Sequence, residues 1–476
     1  FDEEPNDGPF NCNGVIDPER NVTAKLIEVG HVHRNLIVRE KDGTLTLENR
    51  YGFTNANAFD GDWELVVDGA VVRRGALSVP DVAPLTTGAL AWPEIGQVPA
   101  GEAFLNVAFR LKRDTSWAQK GWPVARNQVK LGGTFRRREA TGGGAVGTRD
   151  DGTNLTVRAG RTEAVFSRTT GTLTKLVMNG KTVLADAAGI VRGPRLTCAR
   201  AFTDNDGWLR TRTSRSPAEL PTFYESGLTQ LRYHPVRFAV EKGADRVTVD
   251  VKMRVDGAKS AGWEHEARWT VTGDGRLSVE NRIVPHGVMP ILPRIGTTWV
   301  LDPRLERIAW YGRGPHENYL GRNASAFVGR YASTVTDEYV PYIRPQENGG
   351  KSDVRWIALT DEAGDGVRFT FGEPGFAQAL HYGWEDLEFA RHRAGQQRIW
   401  HPLVPRAETF LNLDVGETGI GEGSCGEIPL EKYRLKAREM SWRIDIEPIF
   451  DAEIAGVRTL VTRRFGRYES LGVRKL

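Results

Sequence analysis

Cysteine is almost missing from this chain of 476 residues: the 3 present, Cys12, Cys198 and Cys425, are odd in number, far apart and without metal spacing. A disulfide framework is therefore not expected, and a reducing compartment is the default. Long apolar runs are missing as well. No stretch approaches the roughly 20 uninterrupted apolar residues of a membrane-spanning helix, so no membrane partner is expected. Nor is charge of one sign in excess. Lys and Arg number 64 against 61 Asp and Glu, with no dense basic block upstream of the tail, and nothing in that balance invites nucleic acid. A neutral partner such as a sugar suits it better. The chain opens Phe1-Asp2-Glu3-Glu4, with no initiator methionine, basic n-region or apolar h-region, and reads as cut rather than as a signal peptide. A cytoplasmic location is the expectation, which leaves the sequons at Asn21, Asn154 and Asn323 uninformative.

Helical periodicity is the last notable absence, since no long stripe of period 3.6 stands out. What is present instead is short alternating segments joined by two-residue turns. Leu36-Ile37-Val38 and Leu45-Thr46-Leu47 flank Asp42-Gly43, a pair that tolerates the positive φ of a tight hairpin. The same grammar recurs at Asp68-Gly69, at Asn179-Gly180 and at Gly273-Asp274-Gly275, and Val247 to Met253 alternates with period two. The fold class read from this is all-β. Between residues 134 and 149 the pattern lapses into Arg136-Arg137-Arg138 and Gly142-Gly143-Gly144, a composition that packs poorly and marks a linker. Residues 19–133 have the size of one immunoglobulin-like sandwich, and 150–450 suffice for a large double-sheet domain. Residues 451–476 form a basic tail of unknown role, with Arg458, Arg463, Arg464, Arg467, Arg474 and Lys475.

Isolated candidate sites are weak. His31 and His33 alternate on one strand face, yet no third ligand is spaced to join them. Asp204-Asn205-Asp206 has the look of a calcium loop but lacks the distal glutamate of the twelve-residue pattern, so a buried, hydrogen-bonded loop is expected there.

The strongest signature is Gly314-Pro315-His316-Glu317-Asn318-Tyr319, followed by Arg322 and then by Pro345-Gln346-Glu347-Asn348-Gly349. It resembles the paired loops in the C-terminal sandwich of the family 2 glycoside hydrolases, the β-galactosidases of lac-operon type. Further landmarks are similar and fall in the family's order: Pro5 to Gly14 as the loop after the last barrel strands, Trp117 and Trp122 closing the immunoglobulin-like domain, Arg200 to Asp206, Tyr339-Val340-Pro341-Tyr342, Leu411 to Asp414, and Gly419-Ile420-Gly421. Three positions depart from the pattern. Phe202 replaces a usual proline, Gly321 an aspartate, and Phe410 a tryptophan that reaches the galactosyl site in well-known members.

The resemblance implies that residues 1–18 are the end of a TIM barrel and that the large sandwich is galactose-mutarotase-like. It also implies a retaining β-galactosidase acting on terminal β-D-galactosides such as lactose, oligomeric when complete. The family's acid/base sits in an Asn-Glu dipeptide that this chain lacks, so the catalytic glutamates are expected in a barrel-containing N-terminal part, in cis or as a second subunit. By the same resemblance Phe10 and Asn13 bind substrate and ligate a sodium ion, magnesium belongs to the missing part, and Phe410 forms an aromatic wall. Glu264 and Glu266 share one strand face rather than opposing each other across a ring, and a solvated face accounts for them. Glu317, Asn318, Tyr319, Glu347 and Asn348 form either a sugar cleft or a set of structural ties between loops; the second is favoured. The alternative to a hydrolase part is a carbohydrate-binding or mutarotase-like module with no catalytic partner.

Overall fold

The computed structural model describes residues 14–17, 20–138, 143–185, 193–396, 403–421, 423, 426–449 and 458–459, with 391–396 and 458–459 described by backbone alone. Phe10 and Asn13 lie outside these residues, as do Cys12, Cys425 and most of the basic tail. Two compact units divide the described chain: one runs to Arg136 and includes Ala324–Arg330, and the other holds Arg137–Asn323 and continues from Tyr331.

In the first unit, the helix Ala24–Val32 starts at Thr23, whose hydroxyl accepts a hydrogen bond from the Leu26 amide. His31 lies in the last turn of this helix and His33 caps it, so the expected strand face with two histidines does not exist. Two antiparallel sheets follow. One pairs Leu36–Lys41, Thr44–Asn49 and Thr87–Leu90; the other runs Ala70–Leu77, Phe59–Val67, Ala103–Leu111, Pro123–Gly132 in spatial order. Asp42 and Gly43 have φ of 50° and 79°, and Asp68 and Gly69 have 46° and 78°, the left-handed pairs that a two-residue hairpin matches to strand twist. The second of these turns also decides topology, because so tight a link keeps Ala70–Leu77 on the sheet of its predecessor rather than crossing to the other. Alternate residues fill the space between sheets. Leu36, Val38, Leu45 and Leu47 meet Trp63, Leu65, Leu105, Val107 and Phe109. The strip Ala324–Arg330 belongs here because Gln128 donates to the Val328 carbonyl at 2.9 Å and accepts from the Val328 amide at 2.8 Å.

The second unit opens with a five-stranded meander whose first strand is Val146–Asp150. Residues 146–149 are thus strand rather than linker, paired from Val146↔Ala159 onward, because Arg149 and its neighbours find backbone partners that composition alone does not reveal. A 13-stranded, almost wholly antiparallel sheet dominates the remainder. Arg232–Lys242, Arg246–Asp256, Gly262–Thr272, Leu277–His286, Met440–Ile449 and Gly366–Leu380 are successive neighbours in it. Trp263, Trp269 and Val271 point from Gly262–Thr272 into a core that also holds Trp299, Trp310 and Phe369. Glu264 and Glu266 point the other way, and Lys252 bridges them at 2.9 and 3.5 Å. That is the solvated face expected of them. Among the described residues the unit also contains a 13-residue helix, Trp384–Gln396, which the sequence pattern did not announce.

Candidate functional site

The loops singled out by motif converge in the second unit, where their side chains are buried. Glu317 accepts from Arg322 at 2.9 Å and from the Tyr342 hydroxyl with one carboxylate oxygen, and from the Gly349 amide at 2.8 Å with the other. Asn318 uses its full capacity: its amide group donates to the carbonyls of Arg313 at 3.3 Å and His316 at 2.9 Å, while its oxygen accepts from the Ser352 amide at 2.9 Å and hydroxyl at 2.6 Å. Tyr319 accepts from the Gly350 amide at 3.1 Å, lies under the Arg322 guanidinium and packs against Phe376. Burial pushes its hydroxyl pKa well above the usual phenol range.

Glu347 and Asn348 complete the arrangement. Glu347 accepts from Arg294 and from Gln378, each at 2.6 Å, and burial raises its carboxyl pKa against the pull of Arg294. The oxygen of the Asn348 side chain accepts from the Val340 amide at 3.0 Å, and its amide group donates to the Gln346 carbonyl at 2.8 Å. The five residues are therefore brought together in one region of the second unit. Their polar atoms are aimed at loop backbone and at the side chains of Arg294, Arg322, Tyr342, Ser352 and Gln378.

Beneath the loops lies a buried ionic cluster. Arg200 donates to Asp206 at 2.7 Å and to the Thr418 carbonyl at 2.6 Å, while Asp206 accepts from the Thr203 amide at 2.9 Å. Asp206 is the buried, hydrogen-bonded residue expected of the 204–206 loop, while Asp204 is exposed and pairs with Arg344 at 2.9 Å. Arg294 spans Glu347 and Asp414, the latter at 3.5 Å. Among the described residues neither side-chain oxygen of Asp414 has a hydrogen-bond donor, and burial pushes its carboxyl up to about 7 despite Arg294 nearby. Burial likewise raises Glu417 to about 8, although the Leu320 amide donates to it at 2.8 Å. Arg294 and Gln378 escaped sequence reasoning. A lone arginine opening the wholly buried strand Arg294–Leu301 was the available signal.

Phe410 is only 4% exposed, packed with Ala185 and Val300 under the Arg406 guanidinium. A phenyl ring has no polar edge to keep solvated, so complete burial stabilises it. The other departures have local reasons. Phe202 donates its backbone N–H to Glu388 at 3.0 Å, a bond proline would lack, and Gly321 has φ of 85°, where aspartate would be strained.

A separate cleft of about 780 Å³ lies over the outer sheet face, lined by Lys252, Glu266, Arg268, Glu280, Arg282 and Arg443 among others. Its charges answer each other, as in Arg443–Glu280 at 2.9 Å and Arg282–Glu266 at 3.3 Å. None of the motif residues lines it. Among the described residues no group of three or more His, Cys, Asp or Glu is placed to hold a metal ion, and no helix is long and apolar enough to cross a membrane. The one described cysteine, Cys198, is buried, which raises its thiol to about 12.

Comparison with known proteins gives two family matches. Residues 158–446 match the family described as beta galactosidase small chain, and residues 45–132 match beta-galactosidase, domain 4. A β-galactosidase of Priestia megaterium is 30% identical over 428 residues, covering 88% of this chain and 39% of that protein. One from Halalkalibacterium halodurans is 28% identical over 464 residues, covering 95% of this chain and 42% of that protein. The chain thus spans about two fifths of the length of these curated relatives. Among solved structures, the galactose 1-epimerase of Lactobacillus acidophilus aligns loosely, with a TM-score of 0.35 and 10% identity over 63% of this chain and 96% of that one.

Proposed function

The chain belongs to the β-galactosidase small-chain family, and we propose that it is the C-terminal part or small subunit of a retaining enzyme that hydrolyses terminal β-D-galactosides such as lactose. The observation that carries this is the alignment of 88% of the chain with only 39% of a β-galactosidase. Retaining hydrolysis takes two carboxyl groups about 5–5.5 Å apart, one as nucleophile and one as acid/base. Neither is assigned to this chain: Glu317 and Glu347 are occupied by loop and arginine contacts, and Glu264 and Glu266 are held together by Lys252. The catalytic pair is placed in the barrel-containing part.

Toward that barrel, the chain contributes Phe10 and Asn13. A backbone carbonyl and a side-chain amide oxygen are the hard donors that a sodium ion takes, and the bound ion would supply a positive charge beside a sugar hydroxyl. The further ligands, and any magnesium, belong to the other part. Carbohydrate binding by the free sandwich is the weaker reading, because the motif residues that would recognise hydroxyls are committed to the fold.

The test is complementation. The purified chain is expected to be inert toward nitrophenyl β-galactoside, and activity is expected on mixing with the portion of the Priestia megaterium β-galactosidase to which it does not align. Turnover by the chain alone that survives repurification would overturn the assignment of both carboxylates elsewhere.

A further inference from the structure

We propose that one end of the first unit is a docking surface for the catalytic part of the β-galactosidase, with Phe53, Leu85 and Trp117 as its anchors; this rests on the reading of the chain as part of that enzyme. Phe53 is 101% exposed, Leu85 74% and Trp117 65%, whereas the sandwich beneath them is closed and well filled. Single exposed apolar residues are ordinary. Three large ones gathered at one end of a small domain are not.

The gathering follows from strand direction and from hydrogen bonds. Phe53 lies between Thr44–Asn49 and Phe59–Val67, and Trp117 lies between Ala103–Leu111 and Pro123–Gly132, so both loops leave the same end of the sandwich, where Phe59 pairs with Leu111. Lys112 ties the two loops by donating to the Asn57 carbonyl at 2.7 Å. Leu85 joins them because its amide donates to the Tyr51 carbonyl at 3.1 Å and the Ala56 amide donates to the Val82 carbonyl at 3.0 Å. The loops are braced. Tyr51 stacks on Phe59 with centroids 5.2 Å apart, and Thr115 and Ala118 close the turn that carries Trp117 at 2.8 Å. Leu85 sits at φ 58°, a conformation that a non-glycine residue adopts only when held there. Holding a leucine in that conformation with its side chain in water gains nothing for the isolated fold. It fits a surface that is covered in the complete protein.

The occupant is specified by length and charge. Relatives carry about three fifths of their chain outside the aligned region, ample for a partner that is not on hand here. The rim of the patch carries a small excess of positive charge, with exposed Lys112, Arg113 and Lys120 against Asp81 and Asp114. Two copies packed through this end would bring these cations together, so a second copy of the chain fits poorly and an apolar recess with an acidic rim fits well.

Hydroxyl-radical footprinting and a binding titration test this, using the unaligned portion of the Priestia megaterium β-galactosidase as the probe. Phe53, Leu85 and Trp117 should be oxidised in the chain alone and protected in the mixture. Trp92, 39% exposed and bonded through its indole N–H to the Gly43 carbonyl at the opposite end, should stay oxidisable. Phe53→Ser with Leu85→Ser should weaken binding by about 30-fold or more, as loss of central apolar anchors does, with the melting temperature unchanged; Trp117→Ser is an independent second variant. Binding by wild type and double variant alike, or oxidation of Phe53 in the complex, overturns the docking surface while leaving the chain a part of the enzyme. Failure of the wild type to bind overturns both. Self-association of the chain that the double variant abolishes would assign the patch to a second copy, and that also overturns the proposal.

Discussion

Replacing Asp414 by asparagine should make the protein more stable relative to wild type at about pH 8.5 than at about pH 5.5. The residue is 0% exposed, neither carboxyl oxygen has a hydrogen-bond donor among the described residues, and its pKa is raised from 3.8 to about 7, mainly by burial. Because the folded value is raised, the folded state holds a proton that the unfolded chain has released. The stabilising contribution is complete below the unfolded pKa and is lost as pH rises through about 7. Between about pH 5.5 and 8.5 the unfolded carboxyl is ionised throughout, so the wild type forfeits roughly 1.36 kcal/mol for each of the one and a half or so units below the folded pKa, or about 2 kcal/mol. Asparagine has the same size and does not titrate. Glu417 titrates in the same region but is present in both proteins, so it cancels in the comparison. Urea midpoints at the two pH values measure the difference, read from the fluorescence of the core residues Trp263, Trp269, Trp299 and Trp310. The same stability difference at both pH values would refute the account of Asp414 as a buried proton carrier. A variant that loses ground at high pH would show instead that Asp414 is an ionised partner of Arg294.

Phe410→Ala should lower stability by about 3–5 kcal/mol, seen as a fall in melting temperature of the chain alone, because it opens a void beside Ala185 and Val300. A normal melting temperature with altered acceptor preference in the complemented enzyme would mark Phe410 as a sugar-facing wall instead. Asn13→Ala, measured in the same complemented enzyme, should lower kcat/KM for galactosides by about ten- to a hundredfold and blunt the response to sodium, since roughly 1.5–3 kcal/mol goes with an ion-linked hydrogen bond. A loss that sodium concentration leaves unchanged would remove Asn13 from the ion's ligands.

The hairpins were legible because their cause is local. Asp42-Gly43 and Asp68-Gly69 carry the positive φ that the turn requires, and the flanking residues alternate with period two. The helix Trp384–Gln396 was not, because among its described side chains only a few such as Leu387 and Ala390 are buried apolar, and the intervening Glu385, Asp386 and Glu388 give no continuous stripe. The motif loops were visible as words, and it was the family resemblance that paired them. Their supports were not, since Arg294, Gln378 and Asp414 meet only through the pairings of Arg294–Leu301 and Gly366–Leu380 with Thr409–Glu417, set by segments far apart in sequence.

That support explains why residues suited to hydroxyl recognition serve the fold instead. A carboxylate or amide can face a sugar only with unused hydrogen-bonding capacity, and Asn318 has none left after its four bonds. Both oxygens of Glu317 are likewise taken, and Glu347 is bound by an arginine and an amide inside the protein. Burying so many polar groups costs desolvation that the same volume of leucine would not, so their advantage lies in direction rather than in energy. Hydrogen bonds fix where Gly349, Gly350 and Leu320 place their backbone, which apolar contacts leave free to slide. Loops held in this way keep one shape without a ligand. Such loops have a fixed backbone and no hydrogen-bonding capacity left for a sugar at Glu317 or Asn318.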